Sequence, residues 1–164
     1  MSILDEVRAA NDAYAAGFDK GNLPTPPRRK LAVLTCMDAR IDPAKALGLR
    51  EGDAHVIRNA GGRATDDAIR SLIISEELLG TDTVFVVHHV DCGMLSFTNE
   101  QLASRLRDHF GVDPGATDYL PFSDLDQSVR DDVATLRANP FIPDTVDIRG
   151  FVYDVRSGRL RQVE

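Results

Sequence analysis

The sequence predicts a single α/β domain with a mostly parallel central sheet flanked by helices and an antiparallel edge strand or hairpin at the C-terminus. Three observations support this prediction. Short apolar runs typical of strands alternate with segments that carry helix-capping signals. The run at residues 83–88 is almost continuously apolar, as expected for a strand covered on both faces. Residues 146–163 instead form two strand-like runs around a tight turn at residues 156–159.

The N-terminal part, residues 1–28, is predicted to form a helix and a proline-rich connector. Leu4, Val7 and Tyr14 recur at roughly helical spacing, and Gly17 favours a helix end there. Three prolines then fall within residues 24–27, which indicates extended chain. We therefore expect one domain over residues 1–164, with its α/β core at residues 29–164.

The first half of the core is predicted to contain two strands and a short helix. Residues 30–36 form a strand-like apolar run that ends at Cys36. Asp42 and Pro43 then form an N-cap and first-turn pair for a helix that ends near Gly48. The second strand is predicted at residues 54–58.

The second half contributes three longer helices around the strand at residues 83–88. Thr65 caps a predicted helix that runs to Gly80, and Thr98 with Gln101 forms a capping-box pattern for the next. The helices are predicted at residues 65–80, 98–110 and 123–138. Residues 111–122, rich in Pro, Gly and Asp, are predicted to be a loop.

Composition excludes several classes of function. The 164 residues carry a formal net charge of −7, with 19 Lys and Arg against 26 Asp and Glu. An acidic chain lacks the basic patch that nucleic acids and anionic membranes require, so we expect neither partner. No apolar run approaches the roughly 20 residues of a membrane span, and no signal peptide is evident. We expect a cytoplasmic protein that acts on a small molecule.

Metal-ligating side chains gather at one edge of the predicted sheet. Cys36 ends the first strand, while His89 and Cys92 follow the apolar strand in the run HHVDC. Ligands bind outside the carboxyl ends of parallel strands, so these residues are expected to converge there. Thiolate and imidazole are the ligands that zinc prefers, and three protein ligands leave the fourth position open, as in catalytic sites.

Asp38 and Arg40 follow Cys36 in the segment CMDAR. Asp38 is expected either to bind the metal or to accept the proton of a metal-bound water. Arg40 is always charged and is expected to hold Asp38 in a bidentate pair that keeps the carboxylate ionised. A cation beside this acceptor would favour the hydroxide form of the water.

Four separated motifs follow one another along the chain: CMDAR at 36–40, RNAGG at 58–62, HHVDCGM at 88–94 and RGFVYDVRSGRL at 149–160. In these motifs the sequence resembles the β-class carbonic anhydrases, and in particular their short bacterial type. The resemblance implies one zinc ion per chain bound by Cys36, His89 and Cys92, and it implies a catalytic dyad of Asp38 and Arg40. It also implies that Asp38 closes onto zinc in an inactive form, and that the chain forms a homodimer or homotetramer.

The resemblance further implies reversible hydration of carbon dioxide to bicarbonate and a proton by zinc-bound hydroxide. Hydrolysis of carbonyl sulfide or carbon disulfide on the same scaffold is the first alternative, because these linear, apolar substrates would use the same residues. A zinc-binding sensor without catalytic activity is the second, although such a sensor has no need of Asp38 and Arg40.

Three other histidines and a glycine-containing loop are further candidates for functional groups. His88 is expected to be a hydrogen-bonded strand-end residue, with a proton relay as the alternative. His55 and His109 are expected to be structural or surface groups, although His55 could influence proton transfer. Residues 58–62 match no phosphate-loop spacing, so we expect no nucleotide site.

Overall fold

The computed structural model describes residues 1–164 and contains one five-stranded sheet in the order β2-β1-β3-β4-β5. Neighbouring strands are parallel except for β4 and β5, which pair antiparallel. This architecture confirms the predicted fold class, including the antiparallel pair at the C-terminus. The strands are β1 Leu31–Cys36, β2 Ala54–Asn59, β3 Thr83–His89, β4 Asp147–Tyr153 and β5 Leu160–Val163.

Five α-helices surround or flank this sheet, and each predicted helix is present. They are α1 Ile3–Ala16, α2 Pro43–Leu47, α3 Asp66–Glu77, α4 Asn99–Phe110 and α5 Leu125–Arg137. Two helix ends differ from the prediction. Helix α3 is regular only to Glu77, because Gly80 takes a positive φ of 72° and closes its C-terminus. Helix α5 begins at Leu125, because the Asp124 carboxylate accepts from the backbone N–H of Gln127.

The main core lies on the side of the sheet that faces α3 and α5. Eleven buried apolar residues from the strands, these helices and the segment after α5 form one cluster. They are Ala32, Leu72, Val84, Val86, Val129, Val133, Leu136, Ile142, Ile148, Val152 and Val163. This packing fixes the sheet against the two helices and so fixes the positions of its strand ends.

Helix α1 is exposed along its whole length, whereas each of the other long helices has residues that are at least partly buried. None of its residues is buried, and Leu4 and Val7 are among the exposed large apolar side chains. Near its C-terminal end, the Tyr14 hydroxyl donates a hydrogen bond to the Glu51 carboxylate. None of the helices has the length and apolar character required to cross a bilayer.

The parallel register of β1 and β3 brings two distant chain segments to one edge. Thr35 pairs with Val87, so Cys36 and His89 both lie at the carboxyl end of the central strands. Gly62 packs closely against the backbone at the end of β1. A Cβ at Gly62 would lie 2.8 Å from the backbone nitrogen of Cys36, and its φ of 71° also favours glycine.

Candidate metal centre

Cys36, His89 and Cys92 come together as the sequence predicts. Their potential ligand atoms all lie within 4.8 Å of one another, and all three residues are buried. Cys36 is the last residue of β1, His89 is the last residue of β3, and Cys92 follows the short turn after β3. Two adjacent parallel strands therefore deliver two thiols and one imidazole to one point.

The orientation of the His89 ring fits a metal ligand. Its Nδ1 lies 2.9 Å from the carbonyl oxygen of Val90, so Nδ1 donates and Nε2 is left as the free acceptor. Nε2 is buried and has no hydrogen-bond partner. Buried polar atoms are normally satisfied, so this unpartnered nitrogen beside two thiols fits the role of a ligand to a metal ion.

The ionisation of the two thiols is also consistent with a metal site. A hydrogen bond from the Cys92 thiol holds the pKa of the Cys36 thiol well below its usual value despite burial. The same hydrogen bond, together with burial, raises the pKa of Cys92. The pair alone therefore favours a single negative charge. A divalent cation would stabilise both thiolates, and thiolate with imidazole is a donor set suited to zinc.

Asp38 and Arg40 form the predicted bidentate ion pair beside this cluster. Arg40 donates from Nε to Oδ1 of Asp38 at 3.0 Å and from Nη2 to Oδ2 at 2.7 Å. These hydrogen bonds hold the pKa of Asp38 well below its usual range. The ionised Oδ2 atom lies 3.8 Å from Nε2 of His89. The Asp38 carboxylate is therefore a permanently ionised hydrogen-bond acceptor next to the candidate ligands.

Arg40 has a second partner, which the sequence analysis did not identify. Its Nη1 donates to Oδ2 of Asp91 at 2.8 Å, and its Nη2 donates to the Asp91 carbonyl oxygen at 2.9 Å. Asp91 adopts a positive φ of 57° in the turn between His89 and Cys92. The only sequence signal was an acidic residue inside the HHVDC motif.

Arg58 is a further residue that the sequence analysis did not identify, because the RNAGG motif carries the family resemblance without assigning a partner to this side chain. Its Nε donates to the carbonyl oxygen of Cys36 at 3.0 Å, and its Nη2 donates to that of Asp38 at 2.8 Å. One guanidinium on β2 thus orders the backbone on both sides of Met37. This contact stabilises the loop that carries both a candidate ligand and the carboxylate.

His88 is satisfied by hydrogen bonds, as expected. Its Nδ1 lies 2.8 Å from the Ser128 hydroxyl, and its Nε2 lies 3.1 Å from Oδ2 of Asp132. Asp132 also accepts from Nε of Arg63 at 2.7 Å. Burial opposes ionisation of Asp132 most strongly, but hydrogen bonds from His88 and Arg63 outweigh it and lower the pKa. This buried network ties the end of β3 to α5.

The remaining histidines lie outside the cluster. The Nδ1 atom of His55 lies 2.7 Å from the hydroxyl oxygen of Ser75, and His109 is exposed on α4.

The surroundings of the two cysteines are apolar. Buried Ile41 and Met94 pack with them, and partly buried residues cover this cluster: Phe97, Phe122, Tyr153 and Val155.

The chain is similar in sequence and in structure to known carbonic anhydrases and carbon disulfide hydrolases. A family model described as carbonic anhydrase matches residues 31–112. The β-carbonic anhydrase 1 of Mycobacterium tuberculosis is 45% identical over 163 residues, covering 99% of both chains. The carbon disulfide hydrolase of Saccharolobus solfataricus is 38% identical, covering 97% of this chain and 88% of that protein. The crystal structure of a carbonic anhydrase from Streptococcus mutans matches with a TM-score of 0.96 at 49% identity, covering 100% of this chain and 99% of that one.

Proposed function

The chain belongs to the β-carbonic anhydrase family of lyases, and from this premise we propose that it catalyses the reversible hydration of carbon dioxide to bicarbonate and a proton. One observation carries the proposal. A buried Cys36, His89 and Cys92 cluster with an orphaned imidazole nitrogen lies directly beside an ionised, arginine-paired carboxylate. This combination joins a set of metal ligands to an acid–base group.

The proposed cofactor is one zinc ion per chain. Sγ of Cys36, Nε2 of His89 and Sγ of Cys92 would hold it, leaving one coordination position for the reacting water. When bound, zinc would act as a Lewis acid that lowers the pKa of that water toward neutrality. The hydrogen bond from Nδ1 of His89 to the Val90 carbonyl fixes the tautomer that this ligand needs.

Asp38 is proposed to orient the reacting water. Its low pKa makes it a hydrogen-bond acceptor that stays ionised, so it directs the water without keeping the released proton. Arg40 maintains that charge and the direction of the carboxylate through two hydrogen bonds. The proton released in each turnover then passes to buffer.

The apolar surroundings support a small, uncharged substrate. Met94 and Ile41 are buried against the two cysteines, and Phe97 and Phe122 pack on the same cluster. Carbon dioxide is linear and apolar, so such a lining suits it.

Hydrolysis of carbon disulfide or carbonyl sulfide is the second candidate. It is favoured by the 38% identity to a protein named carbon disulfide hydrolase. These substrates share the linear shape and the electrophilic carbon of carbon dioxide. A sensor without catalytic activity is less well supported, because the Asp38–Arg40 pair serves proton chemistry and contributes little as an exposed structural pair.

Stopped-flow hydration of carbon dioxide at pH about 8.5 tests the proposal, since this pH lies above the region where zinc-bound water titrates. The protein should be purified, its zinc content measured, and a chelated sample run as the control. Rapid hydration that disappears with the metal supports carbonic anhydrase activity. Zinc at one per chain with negligible hydration, but with release of sulfide from carbonyl sulfide or carbon disulfide, supports the second candidate instead.

The proposed assembly is a homodimer or homotetramer. Helix α1 exposes Ile3, Leu4 and Val7 and buries none of its residues against its own chain. Exposed apolar residues on one helix are costly unless another surface covers them, and a second copy of the chain would provide that surface. Light scattering coupled to size-exclusion chromatography would measure the mass, and a single-chain mass of 18.0 kDa would contradict the proposal.

A further inference from the structure

We propose that Asp91 is a positioning residue, which holds Arg40 and thereby keeps Asp38 in its reactive orientation. This inference rests on the proposed function, because it assigns Asp91 a part in the same reaction. Asp91 does not touch the cluster of candidate ligands through its own carboxylate. Its effect would pass through the guanidinium of Arg40.

The two partners of Arg40 lie on different segments of the chain. Asp38 is only two residues from Arg40, so that pair belongs entirely to the loop after β1. Asp91 belongs to the turn after β3, which joins His89 to Cys92. The bonds to Asp91 are therefore the ones that tie the Asp38–Arg40 pair to the segment carrying two of the three candidate ligands.

The geometry leaves the guanidinium little freedom. Arg40 directs Nε and Nη2 to the two carboxylate oxygens of Asp38, at 3.0 Å and 2.7 Å. It directs Nη1 and Nη2 to the side chain and carbonyl oxygen of Asp91, at 2.8 Å and 2.9 Å. Without Asp91, the pair could swing as one unit toward solvent, because the Arg40 side chain is 47% exposed.

The backbone of Asp91 supports the same interpretation. Its φ of 57° lies in the left-handed region, which Asp, Asn and Gly enter more readily than other residues. This conformation occurs where both the side chain and the carbonyl oxygen of Asp91 reach Arg40. Its side chain is 55% exposed, so the ion pair contributes little to global stability, and a positioning role is the better explanation.

The test compares Asp91→Gly and Asp91→Asn in the zinc-loaded protein. Glycine keeps the left-handed backbone and the carbonyl acceptor but removes the side chain, whereas asparagine keeps an acceptor oxygen. We expect Asp91→Gly to lower kcat on the order of tenfold with little change in KM, and Asp91→Asn to restore much of the loss. Asp126→Asn breaks an exposed ion pair between Asp126 on α5 and Arg161 on β5; it is the matched control and should leave kcat unchanged.

A double-mutant cycle separates positioning from a general structural effect. In an Arg40→Ala background, Asp91→Gly should cause no further loss of kcat, because the group through which it acts is gone. Additive losses would overturn the proposal. So would a kcat for Asp91→Gly equal to that of the unchanged protein.

A spectroscopic measurement tests the same contact without turnover. The Nε–H resonance of Arg40, assigned by its loss in Arg40→Ala, should be slowly exchanging in the zinc-loaded protein and broadened in Asp91→Gly. An unchanged Arg40 resonance in Asp91→Gly would show that Asp91 does not restrain the Arg40 side chain, and would contradict the proposal. If Asp91→Gly shows this broadening while the unchanged zinc-loaded protein does not hydrate carbon dioxide, only the proposed function is refuted.

Discussion

Oδ2 of Asp38 lies 3.8 Å from Nε2 of His89 while the same carboxylate is paired with Arg40. The carboxylate therefore lies between the guanidinium of Arg40, on its own loop, and the buried Nε2 of His89, which has no hydrogen-bond partner. Its position explains why two roles were expected from the sequence, as an acceptor for a water molecule and as a fourth ligand in an inactive form. The pairing with Arg40 favours the first of these roles.

The first prediction concerns Asp38→Asn. The amide keeps the size of the side chain but not its charge, so we expect unchanged zinc content and a kcat reduced on the order of 100-fold or more. Stopped-flow hydration with metal analysis would measure both. Asp82→Asn, an exposed residue at the opposite end of β3, is the control. Full activity in Asp38→Asn would refute the role of this carboxylate.

The second prediction concerns the ligand assignment of His89. Replacing His89 with Gln removes the orphaned Nε2 atom, so we expect the protein to lose most of its bound zinc and, with it, stabilisation against heat. His109→Gln changes an exposed histidine on α4 and should retain one zinc per chain. Metal analysis after dialysis decides the matter, and equal zinc in both variants would contradict the assignment.

The third prediction concerns the buried network around Asp132. Asp132→Asn removes the charge that neutralises Arg63, whose side chain is only 11% exposed. An uncompensated buried charge is costly, so we expect the free energy of unfolding to fall by about 3 kcal/mol. Urea unfolding followed by circular dichroism at fixed protein concentration would measure it. Asp131→Asn, an exposed neighbour on α5, should change stability far less, and equal losses would argue against the network.

The fourth prediction is a pH dependence that originates at Glu76. Both carboxylate oxygens are buried without a partner, and burial raises the pKa of Glu76 to about 7. Between its ordinary value of 4.5 and this raised value, the folded chain binds a proton that the unfolded chain has released. Stability that is present below this interval is therefore lost as the pH rises through it.

Glu76→Gln removes this titration. We expect the variant to gain a few degrees in Tm relative to the unchanged protein as the pH rises from 5 to 8. Asp66→Asn, at an exposed position on the same helix, should keep the original pH dependence. Calorimetry across this pH range makes the comparison, and parallel Tm curves for Glu76→Gln and the unchanged protein would contradict the prediction.

Local signals in the sequence were sufficient for the secondary structure. Side chains of Thr65 and Thr98 cap α3 and α4 as predicted, because an N-cap bond joins residues only three positions apart. The apolar strands likewise showed their burial directly in their composition. The meeting of Cys36 with His89 and Cys92 was also predictable, since parallel strands place their carboxyl ends at one edge.

Other contacts were decided only by the tertiary structure. The pairing of Arg40 with Asp91, the bonds from Arg58 to the Cys36–Asp38 loop, and the contact of His88 with Asp132 join residues 20 to 51 positions apart. No local pattern selects one carboxylate or carbonyl from the many in an acidic chain. The packing of α5 and the turn after β3 bring these partners within hydrogen-bond distance, and only that proximity makes them specific. The sequence by itself therefore determined the secondary-structure elements and the meeting of the three candidate ligands, while the folded chain determined which side chains surround and orient them, because hydrogen bonds depend on distances that only packing sets.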